Sequence, residues 1–139
     1  MPKIPYPELA AIDDPEVIAI LERARERGTP RPESQAIRSH VPAVVKTFTA
    51  AWEETFVEGV VDHALKELCR VYVTKTVACG YCAAQRSVDA AADEDRYSDL
   101  LEYKSSSKYS EREKAALGYT DAVVWNSDLA DDDLWAALD

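Results

Sequence analysis

Apolar residues recur at intervals of three and four along nearly the whole chain. That spacing puts them on one face of an α-helix, and it constrains the chain to an all-α fold. The punctuation agrees. Asp14, Pro15 and Glu16 read as a helix start: an N-cap, a proline at the first helical position, and an acid beside the positive end of the helix dipole. Val17, Ile18, Leu21 and Ala24 then share a face, and Gly28 stops the helix. Thr29 to Glu33 carry Pro30 and Pro32 and are predicted to be a linker. A second helix is predicted from Pro42, with Val44, Val45, Phe48, Trp52, Thr55 and Phe56 on one stripe and Gly59 as its end. Asp62 is predicted to cap a third, lined by Leu65, Leu68, Cys69, Tyr72, Thr76 and Val77. Within it, Val71 to Val77 is rich in β-formers and also reads as a strand; helix is preferred because no partner strand is visible elsewhere.

Ala83 to Ala92 is composed of strong helix formers and runs into Asp93, Glu94 and Asp95. Leu100, Leu101 and Tyr103 make a short apolar piece, followed by a serine loop at 105–107. Ser110-Glu111-Arg112-Glu113 is a capping box, and the helix it opens is predicted to turn Ala115, Ala116, Tyr119, Ala122 and Val123 inward. Asp131 to Asp133 cap Leu134 to Leu138. A helix begun this close to Asp139 is expected either in a shortened chain or in a terminus completed on another subunit. The organisation expected is one domain over 1–139, with residues 1–33 as an N-terminal extension carrying one helix.

Composition narrows the function classes. The chain has 139 residues, and 16 basic against 26 acidic side chains leave a net charge of −10. With 47% apolar residues this is no disordered acidic tail. The acidic balance argues against nucleic acid as a partner, since phosphate backbones select a basic face. No apolar run approaches membrane-spanning length, and Met1-Pro2-Lys3-Ile4-Pro5 is not followed by the apolar core of a signal peptide. A cytoplasmic protein without a membrane partner is therefore expected. There, three cysteines do not form a disulfide framework and point to redox, metal or core use.

Cys79-Gly80-Tyr81-Cys82 is the one reactive-looking feature. Two residues between cysteines, on a turn entering a helix, bring the sulfurs within disulfide reach. The helix N-terminus lowers a thiol pKa from its ordinary value of about 8.5. Gly80 permits the turn; Tyr81 is placed to shield the pair or donate its hydroxyl. The pair reads alternatively as buried and structural. Thioredoxin-type use needs a βαβ frame that the sequence lacks. Zinc needs about four ligands, and only Cys69, Cys79, Cys82, His40 and His63 qualify as soft candidates, so no metal is assigned. Cys69, on the apolar stripe, is read as core. Glu67 lies twelve residues before Cys79 and shares a helix face with His63 four residues earlier. If buried against the sulfurs, it is a proton acceptor for a thiol; the alternative is a solvent-facing residue or a salt bridge to Lys66 or Arg70. Arg86, four residues after Cys82, is expected on the same helical face, where its charge favours a thiolate. His63 and Arg86 also read as ordinary structural or surface residues.

Taken together, Lys66-Glu67-Leu68, Glu67-x11-Cys79-Gly80-Tyr81-Cys82 and Ala83-Ala84 resemble the core motif of the alkylhydroperoxidase D-like / carboxymuconolactone decarboxylase family. The segment Ser110 to Leu117 is similar to a helix that follows the motif there. The resemblance covers roughly residues 40 to 138. It implies a compact helical bundle, a homo-oligomer (trimer or hexamer), and a peroxidase activity with a small peroxide substrate and an external dithiol reductant. By that resemblance Cys82 attacks peroxide, Cys79 resolves it as a disulfide, and Glu67 belongs to a proton relay. The family places a histidine where this chain has Arg86; His63 is the candidate to replace it. No organic cofactor or metal is implied. Two other readings are a lactone decarboxylase of the same fold, whose activity survives loss of both cysteines, and a non-catalytic oligomeric helical protein whose cysteines are merely packed.

Overall fold

The computed structural model describes residues 3–90 and 94–138. Ala91, Ala92 and Asp93, the predicted end of the Ala83–Ala92 helix and the start of its acidic terminus, lie outside the described residues. The described residues are all-helical, with no strand among them. No helix among them is long and apolar enough to cross a membrane. The chain divides into two compact units, Met1–His63 with Gln85–Ala90, and Ala64–Ala84 with Ala91–Asp139.

In the first unit, α1 spans Pro15–Arg27, α2 Pro32–Arg38 and α3 Pro42–Trp52. The α1 start is as the sequence predicts: Asp14 Oδ1 accepts from the amides of Glu16 and Val17 at 3.0 and 3.4 Å. Gly28 ends it with φ of 74°, and a Cβ there would lie 2.7 Å from the carbonyl oxygen of Arg86. Two demands, a left-handed turn and a close backbone approach, thus require glycine at one position. The inward face is Val17, Ile20, Leu21 and Ala24, so Ile20 takes the place predicted for Ile18. Val17, Ile20 and Leu21 pack with Val45 of α3 into one apolar core.

The predicted linker 29–33 is shorter than expected, because Pro32 and Glu33 already belong to α2. Pro32 occupies the first turn and Glu33 supplies an acid there, the same signature as Pro15-Glu16. Inside α2, the fully buried Gln35 donates to Thr49 Oγ1 at 2.8 Å and accepts from Arg38 at 3.0 Å, so its amide is partnered at both ends. On α3, Val45 and Thr49 are buried while Val44 is exposed. Phe48, Trp52 and Phe56 stack in succession, with centroids 5.8 and 4.3 Å apart. A π-turn over Glu53–Val57 carries the last of them past the end of α3.

Helix α4 spans His63–Thr76, and from Ala64 onward it belongs to the second unit, with α5 (Gly80–Ala83), α6 (Glu111–Val124) and α7 (Asp132–Leu138). The β-rich stretch from Val71 is helix through Thr76, with Val71 and Tyr72 buried. Leu65, Leu68, Val71 and Tyr72 of α4 meet Tyr97, Leu100, Tyr103, Tyr109 and Leu117 in one core, and Cys69 packs against its side. Burial of this set outweighs the modest β-preference of valine and tyrosine. The Ser110 capping box is complete: Glu113 N donates to Ser110 Oγ at 3.4 Å, and Ser110 N to Glu113 Oε2 at 2.8 Å. The buried face of α6 is Ala115, Leu117 and Ala122, whereas Tyr119 and Val123 point outward. Asp131 Oδ1 accepts from Leu134 N at 2.9 Å and so starts α7.

Candidate redox site at the Cys79 to Cys82 turn

Past the end of α4, Ala78 takes a positive φ of 52° and reverses the chain into the cysteine turn. Cys79 is the N-cap of α5, and its sulfur accepts from Cys82 N at 3.3 Å. Both cysteines are half-buried thiols, with their sulfurs 2.8 Å apart. Tyr81 is 48% exposed.

The predicted helix over Ala83–Ala92 is corrected here. It stops after the single turn Gly80–Ala83, and among the described residues only a short 3-10 turn at Val88–Ala90 follows. Propensity is overridden by tertiary ties within the first unit. The Arg86 carbonyl is seated against Gly28, Ser87 is hydrogen-bonded to His63, and Asp89 pairs with Arg27 at 3.3 Å. One turn also supplies little of the aligned dipole expected at a long helix. The i,i+4 geometry meant to put Arg86 on the Cys82 face does not exist, because the helix ends between them. Arg86 Nη1 instead donates to the Gln85 carbonyl at 2.6 Å.

Glu67 is fully buried on α4. Its carboxylate is held by Arg70 one helical turn on: Nε to Oε2 at 2.6 Å and Nη2 to Oε1 at 2.8 Å, a bidentate fork. The same guanidinium donates Nη1 to the carbonyl oxygen of Cys82 at 3.2 Å. Arg70 therefore ties the buried acid to the backbone of the second cysteine, and Glu67 is at once buried and salt-bridged to Arg70, one of the two partners the sequence offers. Sequence reasoning weighed Arg70 only as an ordinary ion-pair partner. The i,i+3 spacing signals the pair; the contact to Cys82 depends on the chain reversal at Ala78, which no local pattern announces.

His63 lies in the first unit with both ring nitrogens engaged. Nδ1 is 2.9 Å from the Phe56 carbonyl and Nε2 is 2.7 Å from Ser87 Oγ. A carbonyl accepts only, so Nδ1 carries the proton and, in the neutral ring, Ser87 donates to Nε2. The Phe56 ring packs edge-on to the imidazole at 5.0 Å. No three His, Cys, Asp or Glu side chains are grouped to hold a metal ion among the described residues.

A comparison with protein-family models finds none that matches the chain, and comparisons with curated proteins and with solved structures find no match either.

Proposed function

We propose that the chain is a dithiol oxidoreductase of the alkylhydroperoxidase D-like type that reduces a peroxide through Cys82 and Cys79. The observation that carries this reading is the fully buried Glu67, fixed by Arg70 to the Cys82 backbone at the motif spacing. Sulfur proximity alone does not carry it, because any C-x-x-C turn brings two cysteines close. A buried carboxylate is costly to retain, and its attachment to a cysteine turn supports a role for it there.

In the proposed cycle the Cys82 thiol passes its proton to Glu67 and the thiolate attacks the distal oxygen of the peroxide. The O–O bond breaks, and the leaving oxygen takes the proton from Glu67 to give an alcohol or water. Cys82 becomes a sulfenic acid. The Cys79 sulfur then attacks the Cys82 sulfur, the disulfide forms, and water leaves. An external dithiol reduces the disulfide and is itself oxidised. Arg70 is a positioning residue in this scheme, and neither His63 nor Arg86 is required by any step.

Peroxide consumption in the presence of a small external dithiol tests the proposal. Wild type is expected to turn over, Cys82→Ser to be inactive, and Cys79→Ser to stop after one equivalent with a trappable sulfenic acid. Equal consumption by a variant lacking both cysteines, or none by wild type, overturns it.

A further inference from the structure

Basic charge gathers in a part of the chain that the redox reading does not use. Residues 23 to 38 hold five arginines against two glutamates, in a chain of net charge −10. Four of the five are engaged. Arg23 and Arg27 reach Glu53 at 4.0 and 2.9 Å, and Arg31 reaches Glu33 at 3.1 Å. Arg38 donates to Gln35 at 3.0 Å and lies over the Phe48 ring at 3.7 Å. The fifth, Arg25, makes no hydrogen bond, ion pair or ring contact among the described residues. A solvated arginine needs none; what distinguishes Arg25 is its place.

Arg25 lines a recess of about 240 Å³ that lies wholly within the first unit. Pro7, Leu9, Leu21, Pro32 and Ala36 make the walls of this recess apolar. The wall built from the N-terminal segment is anchored on both sides of Pro7. Leu9 packs against the core of Val17, Ile20, Leu21 and Val45. His40 Nε2 lies 2.7 Å from the Pro5 carbonyl oxygen and donates to it, since a carbonyl only accepts. Tyr6 and Glu33 complete the lining. Glu33 is already neutralised by Arg31, so Arg25 is the uncompensated charge at the recess.

We propose that this recess binds a small apolar carboxylic acid, its carboxylate on the Arg25 guanidinium and its ring or short branched chain against Pro7, Leu9 and Pro32. The planar fork of arginine matches a carboxylate, and the hydrogen bonds it gives are charge-assisted. The apolar walls favour an anion with an apolar body over a bare one such as inorganic phosphate. The volume suits a ligand of about ten heavy atoms, below the range of drug-sized sites.

The test titrates phenylacetate into the full chain and follows the backbone amides by NMR, beside phenylethanol and inorganic phosphate. Phenylacetate saturates and moves the amides of Leu9, Arg25 and Ala36. Phenylethanol, which keeps the ring and lacks the charge, binds about tenfold or more weakly, and phosphate moves none of the three. Arg25→Gln weakens phenylacetate about tenfold or more, to the level of the alcohol, whereas Arg23→Gln leaves its affinity unchanged. Retained helicity by circular dichroism accompanies each variant. The proposal is overturned if phenylacetate does not saturate these amides, if phenylethanol or phosphate binds there as tightly, or if Arg25→Gln binds phenylacetate as wild type does.

Discussion

Glu67 and Asp121 are two carboxylates of the same helical unit held by opposite means. Glu67 is gripped by a cation, Arg70, through a fork of 2.6 and 2.8 Å. Asp121 is gripped by neutral donors: Tyr72 Oη gives a hydrogen bond to Oδ1 at 2.6 Å and Tyr103 Oη one to Oδ2 at 3.0 Å. The two tyrosine rings meet edge to face at 5.4 Å. The neutral clamp joins α4, α6 and the segment between them. The cationic clamp has a further donor, Arg70 Nη1, which reaches the Cys82 carbonyl at 3.2 Å. The contrast teaches that two acids held in one unit differ less in how firmly they are gripped than in what their partners touch next.

Breaking the cationic clamp has the largest expected effect. Arg70→Ala leaves the Glu67 charge buried without its partner and is predicted to cost about 3–5 kcal/mol in denaturant unfolding. Glu67→Gln with Arg70→Met is predicted to cost clearly less than Arg70→Ala alone, because no orphaned charge remains. The neutral clamp ranks second. Asp121→Ala strands two tyrosine hydroxyls and is expected to cost about 2–3 kcal/mol by the same measurement. If the two losses come out in the reverse order, the contrast between the clamps is wrong.

The clamps also differ in pH response. Burial first, and the hydrogen bond to Asp121 second, push the Tyr72 and Tyr103 phenols well above their ordinary range. A phenol whose folded value is raised keeps its proton where the unfolded chain loses it. Its stabilisation is complete below about pH 10 and is lost as pH rises toward the folded value. Tyrosinate absorbance is predicted to reveal two late-titrating tyrosines, and Asp121→Asn to move both toward the ordinary range. The smallest effect belongs to a site remote from either carboxylate: Ser110→Ala removes the α6 cap and is expected to cost about 1 kcal/mol.

Local signals were legible in the sequence wherever one or two residues decide the outcome. Asp14 with Pro15, Gly28, and Ser110 with Glu113 each do in the structure what their chemistry dictates, because caps and stops depend on nearest neighbours. The start of α2 at Pro32 is equally local, and the neighbouring Pro30 conceals it by giving the stretch the look of a linker. Ala83 to Ala92 failed for a different reason. Its helix propensity is real, but Gly28, His63 and Arg27 draw Arg86, Ser87 and Asp89 into an irregular path. Leu117, fully buried, was missed because the core approaches α6 from a direction that spacing alone does not define. At the candidate site, the cysteine pair and Glu67 stand out by residue type and spacing. The bridge from Arg70 to Cys82 is a product of the reversal at Ala78 and has no counterpart in the one-dimensional pattern.

The central claim is that Glu67, oriented by Arg70, takes the Cys82 proton. It is tested most directly by the rate of Cys82 oxidation with one equivalent of hydrogen peroxide near neutral pH, in wild type and in Glu67→Gln, with helicity checked for both. The account predicts oxidation slowed about a hundredfold or more in Glu67→Gln, with the difference shrinking as pH rises and solvent base replaces the carboxylate. Equal rates in the two proteins across that pH range would contradict it.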